Sequence, residues 1–166
     1  MNTIAYTATG IATDMDLHSE EVNPFLDWLC GQGVDLSGRD EDRSIYGWRS
    51  LQGWYQRYLS RPINIGNAFS LNMLKDNATL SVVELDPEDV SELTARRPLE
   101  SCIGHADTAA VVSSVLGIEV PANRSTLRLS KGDDLLVAQY TGPRLEEGTT
   151  RLPEGASITW KLVTVL

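Results

Sequence analysis

The sequence contains few of the residues that bind metals or form disulfides. Its 166 residues include two histidines, His18 and His105, and two cysteines, Cys30 and Cys102, which form no CxxC pair. With so few histidine and cysteine ligands, a zinc or di-metal site is disfavoured. A magnesium site formed by carboxylates alone stays open. Two isolated cysteines are typical of reduced, mostly buried thiols in a cytosolic protein, so we expect no disulfide.

The sequence also lacks the common nucleotide-binding and hydrolase motifs. It has no GxxxxGK[ST] loop and no GxGxxG segment after a strand, which are the glycine-rich patterns that hold phosphates. It has no GxSxG nucleophile elbow either. No apolar run approaches the roughly 20 residues that cross a bilayer, and residues 1–5 do not begin a secretory signal. We therefore expect a cytoplasmic protein with no membrane partner and no cofactor.

Positive charge is in deficit along the whole chain. The formal net charge is −9, and residues 1–62 carry 9 acidic and 5 basic side chains while residues 63–166 carry 14 and 9. A general nucleic-acid binder normally presents a basic face, so we expect no DNA partner. A small anionic ligand is still compatible with this balance, provided that arginines and backbone N–H groups form a local pocket for it.

Residues 1–62 are predicted to form an aromatic-rich, mostly helical extension. A short helix is predicted across residues 19–30, and the turn-forming residues 33–43 predict a loop. Bulky side chains then recur at spacings of three and four, which indicates one face of a second helix. They are Tyr46, Trp48, Leu51, Trp54, Tyr55 and Tyr58. We interpret this stripe as packed core, with a partner or oligomer surface as the alternative.

Residues 63–166 are typical of a small α/β domain with a mixed sheet and two main helices. Asp86 followed by Pro87 predicts a helix start, and a second helix is predicted from His105 to a stop at Gly117. The predicted strands are 63–69, 79–85, 125–130, 135–140 and 157–166.

The segment 102–108, Cys-Ile-Gly-His-Ala-Asp-Thr, offers the most chemistry. Gly104 allows close backbone approach, and His105 sits where the next helix presents free N–H groups and the positive end of its dipole. From the residues alone, His105 is either a phosphate-binding catalytic residue or a structural surface histidine. Arg124 and Arg144, which flank predicted strands, are either ligand-binding loop residues or solvated charges.

Several motifs, taken in order, resemble one family. They are GNAFSLNML at 66–74, IGH at 103–105 with Thr108, ANR at 122–124, KGD at 131–133, and Gln139 leading into RLEEG at 144–148. Their order and spacing resemble the type III anti-CRISPR ring nucleases of archaeal viruses, phages and some bacterial elements. The resemblance covers about residues 63–166, and residues 1–62 have no counterpart in it.

The resemblance implies an α/β homodimer that binds cyclic tetra-adenylate across its two-fold axis. It implies a metal-independent cleavage in which the ligand's own 2′-hydroxyl attacks and a linear di-adenylate with a 2′,3′-cyclic phosphate forms. His105 would be the general acid, and Glu147 would take the 2′-hydroxyl proton or orient His105. The implied ligand-binding residues are Asn67, Ser70, Arg124, Gln139 and Arg144.

Two short stretches depart from the pattern of the resembling family. Ala106-Asp107 follows the histidine where a polar residue is common, and Gly142-Pro143 precedes Arg144. A sponge that binds a cyclic nucleotide without cleaving it is therefore an alternative, and a structural protein that binds partners through its aromatic helix is another. Retention of both His105 and Glu147 favours cleavage, because a sponge needs the arginines and not the acid.

Overall fold

The computed structural model describes Phe25, Leu26, Trp28, Leu29 and residues 48–166. The chain divides into two compact units, with a boundary between Ser60 and Arg61. The predicted loop 33–43 and the residues His18 and Cys30 lie outside the described residues. Among the described parts of the chain, no helix combines the length and the apolar character that crossing a bilayer requires.

Helix α1 (Trp48–Leu59) packs its tyrosines into an aromatic cluster. Tyr55 and Tyr58 lie three residues apart on one helix face and are buried together with Phe25 and Trp28. The rings of Phe25 and Tyr55 meet edge-on with centroids 5.2 Å apart, and the Trp28 ring lies 5.6 Å from that of Tyr58. Such separations favour aromatic pairs. The interpretation of the stripe as packed core is confirmed for Tyr55 and Tyr58.

Five strands form one mixed sheet in the second unit. They are β1 (Ile63–Gly66), β2 (Leu80–Leu85), β3 (Leu99–Ser101), β4 (Asp134–Thr141) and β5 (Ser157–Val165). The order is β2-β5-β4-β1-β3, with β1 parallel to β3 and β4 and β5 antiparallel to β4 and β2. The predicted mixed sheet is confirmed.

Two helices of this unit begin where the sequence predicts. They are α2 (Pro87–Arg96) and α3 (Ala106–Leu116). The Asp86 carboxylate caps α2 by accepting hydrogen bonds from two N–H groups of its first turn, each 2.9 Å long. Helix α3 ends at Gly117, whose φ of 69° is the left-handed conformation that glycine adopts without a Cβ penalty. His105 occupies the N-cap position of α3.

Apolar side chains pack on both faces of the sheet. On one face, Val90 of α2 and Val112 of α3 join Ile63, Ile65 and Trp160 in the main core. On the opposite face, loop residues before β2 and before β4 cover a second core, and this packing fixes the strands from which the candidate site extends. The second core consists of Leu80, Leu135, Val137, Val163 and Val165 from the sheet with Phe69, Met73, Leu74, Cys102, Leu127 and Leu129 from the segments between strands.

A buried ion pair lies at the amino end of β4. Arg97 Nη1 is 2.6 Å from Asp134 Oδ2, and both side chains are 2% exposed. Thr164 of β5 donates its hydroxyl to the other carboxylate oxygen at 2.8 Å, and Arg61 Nη2 lies 3.3 Å from Oδ2. The Asp134 carboxylate thus joins β4 and β5 to the segments before β1 and after α2.

The prediction of a strand at residues 125–130 is wrong. Only Leu129 of this stretch forms a bridge, with Leu74, and the rest is irregular. Leu127 and Leu129 alternate with polar residues because they pack on the second core, whereas Arg128 between them is exposed. One-sided packing of an irregular segment gives the same alternation of apolar and polar residues as a strand.

Candidate functional site

One end of the sheet gathers the segments that carry the predicted site residues. Because β1, β3 and β4 are parallel, their carboxyl ends lie at the same edge, where α/β sheets usually bind ligands. Asn67 directly follows β1, His105 lies four residues after β3, and Arg144 and Glu147 follow β4. Gln139 lies within β4, two residues before its end. The fold therefore brings the segments of all five residues to one edge.

His105 is exposed at the start of α3, and its imidazole makes no capping hydrogen bond. Its backbone carbonyl accepts the N–H of Ala109 at 3.0 Å, so the helix begins directly behind it. The first turn of a helix presents N–H groups and the positive end of the dipole, which together favour phosphates. The exposed imidazole can therefore meet an anionic ligand at this edge.

Arg124 lies against the residue that precedes His105. Its Nε donates to the carbonyl oxygen of Gly104 at 3.1 Å. The neighbouring Asn123 fixes this arrangement by donating its backbone and side-chain N–H groups to two carbonyls of segment 101–103, at 2.8 and 2.9 Å. Arg124 itself is exposed. The structure thus places a side chain suited to phosphates beside the histidine.

The turn that carries Glu147 is attached to the first turn of α3. Gly148 donates its N–H to Asp107 Oδ1 at 2.9 Å across 41 positions of sequence. Within the turn, the backbone N–H and the hydroxyl of Thr149 both donate to the Glu146 carbonyl, at 3.1 and 2.6 Å. Gly148 has a φ of 86°, which allows this tight geometry. The exposed Glu147 therefore lies in a braced turn beside the start of α3.

The backbone that leads to Arg144 is fixed by Tyr140. The Tyr140 hydroxyl donates to the carbonyl of Pro143 at 2.8 Å. A Cβ at Gly142 would lie 2.7 Å from that hydroxyl oxygen and 2.6 Å from Ala156 Cβ. Glycine at this position therefore lets the chain pass closely beneath the tyrosine, and Arg144 follows in an exposed loop.

Replacing Gly142 with alanine is expected to destabilise the protein by about 1–3 kcal/mol, because overpacking forces neighbouring groups to move and Ala156 Cβ cannot rotate away. Urea unfolding measures the change. The matched control is Gly53→Ala in α1, where a Cβ meets nothing within 4 Å and alanine is the better helix former. Equal stability of G142A and the parent protein would contradict the close approach.

Asn67, Ser70 and Gln139 are exposed. Ser70 caps the short 3-10 helix Leu71–Met73, and its hydroxyl accepts an N–H of that turn at 3.4 Å. Among the described residues, no hydrogen bond joins these three to the segment of His105. Their assignment as ligand-binding residues stays a prediction.

Cys102 supports the strand ends beneath the site. Its free, half-buried thiol donates to the carbonyl of Ile65 at 3.2 Å and lies 2.9 Å from where a Cβ on Gly66 would be. Burial raises the pKa of the Cys102 thiol, so at neutral pH the thiol is protonated and acts in packing rather than as a nucleophile. In the part of the chain that the structure describes, no three acidic, histidine or cysteine side chains group to hold a metal ion.

Asp107 is the residue whose contact the sequence does not reveal. An acidic residue in the first turn of a helix is commonly explained by the dipole or by capping, and the sequence suggests those functions alone. Its actual partner, Gly148, is brought close only by the fold. One feature of the sequence could have drawn attention to Asp107. It lies two residues after His105, in a stretch that departs from the pattern of the resembling family.

A family model described as STIV B116-like matches residues 63–159. The matched range begins at the first residue of β1, covers more than half of the chain, and includes every predicted site residue from Asn67 to Glu147.

Two viral proteins are similar to this chain. "Uncharacterized protein 26" of Sulfolobus islandicus filamentous virus (isolate Iceland/Hveragerdi) is 37% identical over 65 residues, which are 39% of this chain and 54% of that protein. The chain thus spans about half the length of this curated relative. The structure of B116 of Sulfolobus turreted icosahedral virus has 30% sequence identity and a TM-score of 0.52, covering 63% of this chain and 99% of B116. This match confirms the mixed α/β fold.

Proposed function

We propose that this chain, which belongs to the STIV B116-like family, is a metal-independent ring nuclease. It binds cyclic tetra-adenylate across a homodimer and cleaves it to linear di-adenylate with a 2′,3′-cyclic phosphate, which counters type III CRISPR signalling in the cytoplasm of the infected cell. One observation carries the proposal: Arg124 and the Glu147 turn are both attached to the segment that carries His105.

The proposed reaction uses the 2′-hydroxyl of the ligand as its nucleophile. Glu147 accepts the proton of this hydroxyl, the bond from the 2′-oxygen to the adjacent phosphorus forms, and the bond from phosphorus to the 5′-oxygen breaks. Protonated His105 donates its proton to the departing 5′-oxygen. The ligand thus supplies the nucleophile, and two side chains perform both proton transfers.

Local positive charge offsets the acidity of the whole chain at this site. The net charge of −9 repels a polyanion at long range, but salt screens such repulsion beyond about 8–10 Å. At close range the ligand meets Arg124, Arg144 and the amino end of α3. Arginine suits phosphate because its planar guanidinium donates two parallel hydrogen bonds.

The symmetry of the ligand supports a homodimer. Cyclic tetra-adenylate has two-fold symmetry, and an isologous dimer presents the same residues twice around its axis. Two His105 side chains related in this way would cleave opposite phosphodiesters, and two linear di-adenylates would result. The exposure of His105, Arg124, Arg144 and Glu147 in the single chain is consistent with a ligand bound between two copies.

The deciding experiment incubates the purified chain with radiolabelled cyclic tetra-adenylate in EDTA. We expect linear di-adenylate with a cyclic phosphate, separated by chromatography, at the rate seen without EDTA. Cleavage that EDTA stops would contradict metal independence. Failure to bind any cyclic oligoadenylate would contradict both cleavage and sequestration.

Replacing Arg124 with alanine is expected to weaken binding of cyclic tetra-adenylate by about 10- to 100-fold, because a hydrogen bond to a charged group contributes roughly 1.5–3 kcal/mol. Equilibrium binding of the labelled ligand measures the change. Arg96→Ala is the matched control, since Arg96 ends α2 next to the amino end of β3, at the opposite edge of the sheet. Equal weakening by both variants would assign the effect to net charge instead of to the site.

Sequestration without cleavage is the second candidate. It is favoured by the exposed imidazole of His105, for which no described residue provides an orienting hydrogen bond. A sponge needs the arginines and not a positioned acid. Tight binding in the EDTA assay with no product, by both the parent protein and a His105 variant, would establish it.

A further inference from the structure

We infer that Asp107 is a positioning residue, which holds the Glu147 carboxylate beside His105 by accepting the N–H of Gly148. The catalytic part of this inference rests on the proposed function. Its structural part rests on one tertiary hydrogen bond, 2.9 Å long, between the first turn of α3 and the loop that joins β4 to β5.

The loop at residues 142–156 has few other attachments. Its remaining described hydrogen bonds stay within the loop or reach back to Tyr140 at its start. Tyr140 fixes the entry of the loop, and Thr149 fixes the internal shape of the turn. Among the hydrogen bonds of the described residues, the one from Gly148 to Asp107 is the one that joins this turn to α3, and Glu147 is the residue directly before Gly148. The position of the Glu147 carboxylate therefore depends on Asp107.

The charge of Asp107 acts against the ligand while its oxygen holds the turn. A carboxylate two residues from His105 repels phosphates at the same site, by an amount that rises as the separation falls. Asparagine separates the two effects, because it retains an Oδ1 acceptor for the Gly148 N–H and removes the charge. Alanine removes both.

The kinetic test compares Asp107→Ala with Asp107→Asn in single-turnover cleavage of cyclic tetra-adenylate. We expect D107A to lower the cleavage rate about 10- to 100-fold, since a misplaced catalytic group loses rate on this scale, while its ligand Kd is unchanged or lower. D107N is expected to restore most of the rate and to bind the ligand more tightly than the parent protein. Parent-like cleavage by D107A, or equal loss in both variants, would overturn the inference.

A second measurement is independent of catalysis. Hydrogen exchange of the Gly148 amide, followed by NMR, is expected to be slow in the parent protein and in D107N and fast in D107A. Equal exchange in all three would overturn the positioning contact even if the protein cleaves its ligand. A protected Gly148 amide in a parent protein that cleaves nothing would instead contradict the proposed function, and with it the catalytic part of this inference.

A double-mutant cycle tests whether Asp107 acts through Glu147. In a Glu147→Gln background the added Asp107→Ala change is expected to lower the rate little further, because two residues that act through one group are non-additive. Losses that multiply would show that Asp107 acts on a different group and would overturn the assignment to Glu147.

Discussion

Replacing His105 with alanine is expected to lower the rate of ring cleavage by at least about 100-fold, the lower end of what general acid catalysis contributes, and to leave ligand binding nearly unchanged. The imidazole is exposed and makes no capping hydrogen bond with α3, so its removal takes no capping hydrogen bond from the fold. Single-turnover cleavage and equilibrium binding of labelled cyclic tetra-adenylate measure the two quantities separately.

Two controls assign the loss to proton donation. His105→Asn provides a favourable N-cap for α3 without an acid, so it should match H105A in rate while equalling or exceeding the parent protein in stability. A ligand with sulfur in place of the bridging 5′-oxygen has a leaving group that needs little protonation. H105A should cleave this ligand at nearly the parent rate. Parent-like cleavage of the natural ligand by H105A would remove His105 from the mechanism.

Local signals predicted the parts of the fold that local interactions determine. The Asp86 cap with Pro87, and the stop at Gly117, correctly placed the start of α2 and the end of α3, because cap chemistry acts within a few residues. The buried run at 135–140 likewise identified β4. Predicting these features required no knowledge of the segments that pack against them in the fold.

Tertiary contacts determined the features that the sequence did not predict. Strand β3 has three residues and exists because Leu99–Ser101 pairs in parallel with β1, a contact that no periodicity of so short a segment can indicate. The prediction of a strand at 125–130 failed for the converse reason, since Leu127 and Leu129 pack their side chains on the second core without belonging to a strand of the sheet.

The candidate site likewise has features that the sequence predicted and features that only tertiary contacts determine. The sequence marked His105, Arg124 and Glu147 by residue type and by their order in a resembling family. It did not reveal that Gly104 receives the Arg124 side chain or that Asp107 receives the Glu147 turn. Each of these hydrogen bonds joins a loop to the start of α3 across at least 20 positions of sequence. The residue types on which the proposed chemistry depends were therefore readable from the sequence, and the hydrogen bonds that join their segments were not.

The largest effect on stability is expected at Asp134, at the other end of β4. Replacing Asp134 with alanine is expected to destabilise the unit Arg61–Val165 by about 3–5 kcal/mol, because it removes the carboxylate opposite a guanidinium that stays buried. The Arg97 Nη1 to Asp134 Oδ2 separation is 2.6 Å, and both side chains are 2% exposed. Hydrogen exchange of the β4 amides reports the unfolding of this unit directly, because that strand is central and buried.

The controls separate the missing charge from the missing hydrogen bond. Thr164→Val removes the hydroxyl that donates to Asp134 Oδ1, and should cost about 1 kcal/mol. The double change Arg97→Met with Asp134→Leu removes both charges of the fully buried pair and leaves only Arg61, whose side chain is 21% exposed to solvent. It should be far less damaging than D134A, since apolar residues of similar size replace buried ion pairs well. A D134A protein as stable as T164V would contradict the importance of the ion pair.

Asp134 and the candidate site lie at opposite ends of β4, so replacing Asp134 with alanine also tests whether stability and catalysis are separate. Asp134 begins β4 and Thr141 ends it, a span of about 24 Å at roughly 3.4 Å per residue. The ion pair therefore stabilises the sheet at the edge opposite His105, and it touches none of the groups assigned to catalysis. At temperatures where D134A remains folded, we expect its cleavage rate per folded molecule to equal that of the parent protein, whereas H105A should lose cleavage at unchanged stability. Stability and catalysis should thus be lost independently, at opposite ends of one sheet.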